Sequence, residues 1–146
     1  MTFSEGGKQL GTATVADSTA TFALPKGLSV GKHVISAAFT SNSAYSGTDS
    51  ATTRTVTVTV EKAASTTSIT YEGRQAVVRA TSRGIVVNGQ AKIYDGTKHI
   101  KTITISRNTG STRFGLSKGT HKLHAVFIGN TIIAGSTSPD LVVKAN

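Results

Sequence analysis

Apolar and polar residues alternate along most of this chain. Thr55-Val56-Thr57-Val58-Thr59-Val60 sets three valines on one face and three threonines on the other. That is the period of a half-buried β-strand, and both residue types suit a pleated surface. Ile103 and Ile105 alternate in the same way with Thr102, Thr104 and Ser106, and helical spacing is absent. Turn signals punctuate the pattern: Glu5-Gly6-Gly7, Pro25-Lys26-Gly27, Asn88-Gly89, Asp95-Gly96 and Asn108-Thr109-Gly110. Each supplies a residue tolerant of positive φ. Short alternating strands between such turns predict an all-β sandwich or barrel.

The pattern is used twice. Gly31-Lys32-His33-Val34-Ile35-Ser36-Ala37-Ala38-Phe39 is matched 88 positions on by Gly119-Thr120-His121-Lys122-Leu123-His124-Ala125-Val126-Phe127. Asn42 and Gly47 answer to Asn130 and Gly135. Self-similarity at a fixed offset means one structural unit used twice. The second copy lays out as seven strands near 65–71, 75–82, 87–94, 99–105, 111–116, 120–128 and 138–144, the count of a minimal immunoglobulin-like sandwich. The first gives five, near 2–4, 9–15, 19–24, 32–40 and 52–60. Phe3 answers to Ile93, so the first copy begins at the counterpart of the third strand.

The expected fold is therefore all-β: two tandem immunoglobulin-like β-sandwiches, the first lacking its first two strands. Residues 1–61 form the incomplete domain and residues 62–146 the complete, strongly basic one. Phe22 and Leu24 should face inward from the sheet to which the missing strands belong. Three explanations stand: a fragment of a longer protein; a strand donated by another chain or a separate segment, to which an open sheet edge invites pairing; or a native, incomplete sandwich. The connection Glu61-Lys62-Ala63-Ala64 holds no Gly or Pro and suggests a stiff, end-to-end arrangement.

Composition narrows the chemistry. The chain has 146 residues, no Cys and no Trp, which removes disulfides, thiolate metal sites and a cysteine nucleophile. No stretch approaches the roughly 18 apolar residues that span a bilayer, and no signal-peptide pattern opens the sequence. Charge is uneven. Residues 1–61 carry four bases (Lys8, Lys26, Lys32, Arg54) against four acids (Glu5, Asp17, Asp49, Glu61). The other 12 of the 16 bases and 3 of the 7 acids leave the whole net +9 on residues 62–146. Such asymmetry bears on partners and solubility rather than on fold.

Several spaced landmarks carry a family resemblance: Thr2-Phe3-Ser4-Glu5-Gly6, Leu10-Gly11-Thr12-Ala13-Thr14-Val15, Ala20-Thr21-Phe22, Gly31-Lys32-His33, Ala38-Phe39, and Asn42 to Gly47 with Tyr45. This first copy resembles the bacterial Ig-like repeats found in tandem in large secreted and cell-surface proteins; related modules also decorate phage particles. The second copy keeps Ile93-Tyr94-Asp95-Gly96, Gly119-Thr120-His121, Phe127 and Ala134-Gly135-Ser136, but has Ile100-Lys101 for Leu10-Gly11 and Ile133 for Tyr45. The resemblance implies an extracellular or cell-surface spacer, stalk or adhesive module, with a phage virion as the alternative, and no catalytic residues.

Site chemistry is correspondingly spare. Seven scattered acids give paired-carboxylate catalysis little to draw on, and the expectation is no enzyme, no cofactor and no metal. His33 and His121 occupy equivalent places and are expected to support the start of their strand. His99 and His124 have no counterpart; a pH-sensitive or metal-binding surface is the alternative for them, but no acidic partner is expected nearby. Alternation sends Lys92, Lys122 and His124 outward from one sheet and Arg79 and Arg113 outward from the other, with Lys98, Arg107 and Lys118 in or beside turns. These seven bases, Arg79, Lys92, Lys98, Arg107, Arg113, Lys118 and Lys122, are the candidates for attachment to an anionic surface polymer or host-surface glycan. Sequence-specific nucleic-acid recognition, which favours a concentrated basic stripe with exposed aromatics, and membrane insertion are not expected. The expected role is a structural or adhesive spacer with Ig-like neighbours; the alternative is a self-assembling filament or virion subunit built by strand exchange.

Overall fold

The computed structural model describes residues 1–39 and 54–146; Asn42, Tyr45, Gly47 and the positions 52–53 of the expected fifth strand lie outside the described residues. The described residues form twelve strands and no helix. The chain divides into two compact units, Met1–Glu61 and Lys62–Asn146.

The second unit contains β5 (Ser65–Glu72), β6 (Gln75–Ser82), β7 (Gly89–Asp95), β8 (Lys98–Ile105), β9 (Thr109–Arg113), β10 (Gly119–Phe127), β11 (Ser136–Thr137) and β12 (Leu141–Ala145). One antiparallel sheet runs β5-β6-β9; the other runs β11-β10-β7-β8, with β12 also on β10. This is the immunoglobulin-like strand arrangement. Alternation turns one side of each strand inward. Ala76, Val78 and Ala80 from β6 join Ile93, Ile105, Leu123, Ala125 and Phe127 in one buried core. A buried Val, Leu, Ile or Phe in such a place contributes about 1.5–3 kcal/mol. Hydroxyls supplement the packing at one edge: the Ser65 hydroxyl donates to the Ala134 carbonyl at 2.6 Å, and Thr67 bonds Ser136 at 2.6 Å.

The last strand, expected near 138–144, forms as β12 only from Leu141, and the short β11 precedes it on the same neighbour, β10. Pro139 lies in the break; it has no N–H for a ladder. Ser138 spans the gap instead: its N–H reaches the Ala125 carbonyl at 2.8 Å, and its hydroxyl accepts from the Ala125 N–H at 2.9 Å.

The first unit contains β1 (Thr2–Glu5), β2 (Lys8–Thr12), β3 (Gly31–Ala38) and β4 (Arg54–Val60), in the sheet order β2-β1-β3-β4. This order matches β8-β7-β10-β12 strand for strand. The agreement extends to irregularities. The β1–β2 ladder slips between Phe3 and Ser4, and the β7–β8 ladder between Ile93 and Tyr94. Asp17 and Ser18 adopt positive φ inside an Ala16–Thr19 bridge, as Arg107 and Asn108 do inside a Ser106–Thr109 bridge.

One expected strand does not form. After Thr19 the segment to Leu24 pairs with none of the described residues, although its counterpart is β9. The cause is the ladder: β9 is held by β6, and the described residues of the first unit include no counterpart of β6. The side chains still alternate. Phe22 and Leu24 are half-buried, and Phe22 stacks on Phe3 with ring centroids 4.7 Å apart. Gly11 makes that stack possible, since a Cβ there would overlap the Phe22 ring.

Candidate functional site

The seven expected bases fall on different surfaces of the second unit. Lys92 pairs with Thr102 and Val126 on the outer face of the β7–β10 sheet, and Lys122 pairs with Val142 on the same face. Arg79 and Arg113 share the outer face of the other sheet, at the Thr109 and Gln75 registers. Four residues of β9 separate those registers, roughly 13 Å at about 3.3 Å per residue. Lys98 opens β8 opposite Asp95, Arg107 occupies the positive-φ turn, and Lys118 precedes β10. The structure does not gather them into one stripe.

Two arrangements were not anticipated. The first brings Arg74 to Arg113. Gly73 and Arg74 close the β5–β6 hairpin, both with positive φ (53° and 65°). A hollow of about 360 Å³ is lined by Gly73, Arg74, Arg113, Phe114 and Gly115. The sequence pattern hid it because Arg74 is a turn residue, and alternation assigns turn residues no face.

The second is a row of rings across three strands of the other sheet. The Tyr94 ring stacks on His124 at 5.2 Å and meets His99 edge-on at 5.4 Å. Asp140 lies 3.7 Å from His124. His124 therefore does have an acid nearby, contrary to expectation; the loop before β12 folds back to deliver it. Among the described residues, no group of three or more His, Cys, Asp or Glu is placed to hold a metal ion.

His33 and His121 are equivalent in detail. His33 Nδ1 lies 2.7 Å from Glu5 Oε1, and its Nε2 lies 2.7 Å from the Ser29 carbonyl oxygen. His121 Nδ1 lies 2.6 Å from Asp95 Oδ2, and its Nε2 lies 2.8 Å from the Ser117 carbonyl oxygen. Each ring thus faces two acceptors. A neutral imidazole has a single N–H, so only the protonated ring satisfies both. The Ser29 carbonyl, then the Glu5 carboxylate, raise the His33 pKa above its ordinary 6.5. The Asp95 carboxylate, then the Ser117 carbonyl, do the same for His121. Asp95 is correspondingly lowered by His121, with the Lys122 N–H, 3.0 Å away, assisting. The clamp fastens the β1–β2 or β7–β8 turn to the start of the strand that carries the histidine. A signal for it was present: Glu5-Gly6 and Asp95-Gly96 put an acid before the turn glycine, 28 and 26 residues ahead of the paired histidine.

No family model matches the chain, and neither the curated proteins nor the solved structures contain a match.

Proposed function

We propose that this chain is a non-catalytic structural and adhesive spacer, of the bacterial Ig-like repeat kind, from a cell-surface or secreted protein. In this reading the second unit attaches to anionic polymers. The observation that carries it is the placement of charge. The whole net +9 belongs to residues 62–146, and two of that unit's three acids lie beside histidines, Asp95 on His121 and Asp140 near His124. Little carboxylate is left to offset the exposed lysines and arginines, and the resulting field attracts polyanions without sequence preference. Binding to heparin and to teichoic acid over a salt series tests it. Affinity should fall steeply from 50 to 300 mM salt, because exposed charges are screened; salt-independent binding would reject the reading.

A second reading, a filament or virion subunit that accepts a neighbour's strand, draws on one observation in the first unit. Val56 pairs with buried Ile35 on the inner face of β4, yet Val56 is 60% exposed. The segment carrying Phe22 and Leu24 also makes no ladder with any described residue. Light scattering between 10 and 500 μM tests this; a monomer throughout would remove it.

A further inference from the structure

We infer that the Arg74–Arg113 hollow is a discrete binding site for a phosphate group. This deepens the proposed attachment to anionic polymers and rests on it. The second unit's charge is otherwise spread over two faces and the rims, but here two arginines line one depression.

The position of each arginine is set by backbone. The register Gln75–Arg113 ends the β6–β9 ladder and brings Arg113 alongside the β5–β6 turn. The Phe114 N–H donates to the Arg74 carbonyl at 3.1 Å. The Tyr71 hydroxyl donates to the Phe114 carbonyl at 2.7 Å, and the two rings pack at 5.1 Å. Both sides of the hollow are therefore fastened to one another before any ligand arrives, which is what a selective site requires. Gly115 completes it. A Cβ at Gly115 would lie 2.7 Å from Arg74 Nη2, so the glycine provides the space in which the guanidinium lies across the backbone.

Two further features bear on the site. Arg74 occupies a left-handed backbone conformation where a two-residue hairpin of this kind favours glycine or asparagine. Strain of that kind in a non-glycine residue persists only where the surrounding structure over-determines it, so the turn holds Arg74 in place. The ion pairs found among the described residues all involve histidine, and none engages either arginine. Glu72, the nearest acid in sequence, lines a separate hollow with Thr70, Gln75 and Val77.

The chemistry selects phosphate. Each guanidinium offers a planar fork of N–H donors that matches paired oxygens. A carboxylate has one such pair and is satisfied by one fork. A phosphate spreads its charge over several non-bridging oxygens and accepts from both. It can come from a phosphodiester polymer or from a free phosphate monoester.

The test measures calorimetric affinity for poly(glycerol phosphate), glycerol 3-phosphate and polygalacturonate, using the whole chain. Wild type should bind poly(glycerol phosphate) more tightly than polygalacturonate at equal charge. Arg74→Gln and Arg113→Gln should each weaken it about tenfold, the scale of losing a charge-assisted bidentate contact. Lys92→Gln, on the opposite sheet, should weaken it by twofold or less. Gly115→Leu is the sharpest variant, because it removes no charge yet fills the ground on which the Arg74 guanidinium lies; it should also cost about tenfold. Its fold is checked by the His121 ring signals, which should not move. Saturable binding of glycerol 3-phosphate that Arg113→Gln abolishes would support the site with the phosphate group alone as ligand. Response to the polymer only, with the same variant pattern, would support it with a phosphodiester chain as ligand. Equal losses for Arg74→Gln, Arg113→Gln and Lys92→Gln, or full affinity in Gly115→Leu, would overturn the site while leaving diffuse polyanion attachment standing. No binding of any polyanion by wild type would overturn both.

Discussion

Leu123 and Ile35 stand at equivalent positions of β10 and β3, and truncating each to alanine should cost different amounts. Both changes remove three side-chain carbons, and at about 0.8 kcal/mol per buried methylene the transfer loss is about 2.4 kcal/mol. The surroundings then separate them. Leu123 is fully buried, with Ala76, Val78 and Ala80 supplied by the opposite sheet. The space left by Leu123→Ala is enclosed, so a cavity penalty adds and the total should reach about 3–4 kcal/mol, within the range for enclosed leucines. Ile35 is 5% exposed, but its cross-strand partner Val56 is open to solvent. Neighbours and water can fill the gap, and Ile35→Ala should cost about 2 kcal/mol. Native-state hydrogen exchange, read separately at β10 and β3 amides, measures each loss in its own unit. For the second unit the same change should lower the midpoint of thermal unfolding by about 12–30 °C. Equal losses, or a greater loss at Ile35, would refute the view that, among the described residues, only the second unit closes its core between two sheets.

Three other outcomes are expected. His33 and His121 have raised pKa values when folded, so their stabilisation is complete below about 6.5 and is lost as pH rises through the folded values; Asp95 acts in reverse, contributing above 3.8 and losing its share as pH falls through its lowered folded value. Proton NMR of the ring Cε1–H signals would contradict the clamp if either histidine titrated below 6.5. Ser138→Ala leaves the buried Ala125 N–H without its 2.9 Å partner and should cost about 1–3 kcal/mol in denaturant unfolding, with Ser138→Thr recovering part of the loss. Gly110→Ala should cost about 1–3 kcal/mol by overpacking, since a Cβ there would fall on the Thr104 carbonyl and within 3.0 Å of Ile105 Cδ1; an unchanged thermal midpoint would show that β8 and β9 can move apart.

The all-β class was legible because alternation is a local property: Val56, Ile103 and Leu123 declare a face within three or four residues. What depends on a partner was not legible. Residues 20–24 alternate as well as β9 does, but a strand exists only where a neighbour supplies a ladder, and the described residues of that unit include no counterpart of β6. The break at Pro139 was visible in principle, as a residue without an N–H inside an expected strand. The charges were placed on faces correctly where they sit in strands, as with Arg79, Lys92, Arg113 and Lys122. Arg74 escaped because its position follows from two positive-φ residues and the hydrogen bonds of Phe114. The clamp acids escaped for a different reason: alternation gives the face a residue takes, but not which end of a strand meets which turn 26 or 28 residues away.

Comparison of the two units separates what the fold needs from what one unit adds. The bulge at Phe3 or Ile93, the tight turn after β2 or β8, and the histidine clamp occur in both, the clamp even with Glu5 exchanged for Asp95. These belong to the scaffold. Tyr94 and His124 do not. Their counterparts are Ser4 and Ser36, whose hydroxyls meet at 2.8 Å, so the same sheet position accepts a small polar pair without loss of register. The ring row is therefore a surface feature that folding does not demand. Arg74 has no counterpart among the described residues of the first unit, and residues 20–24, which answer to β9, carry no base where Arg113 stands. Chemistry peculiar to the second unit thus lies on both of its outer faces, and charge alone separates them: the ring face includes Asp140, whereas no acid lines the two-arginine hollow. An anionic polymer should meet the second unit first at the β5–β6 turn.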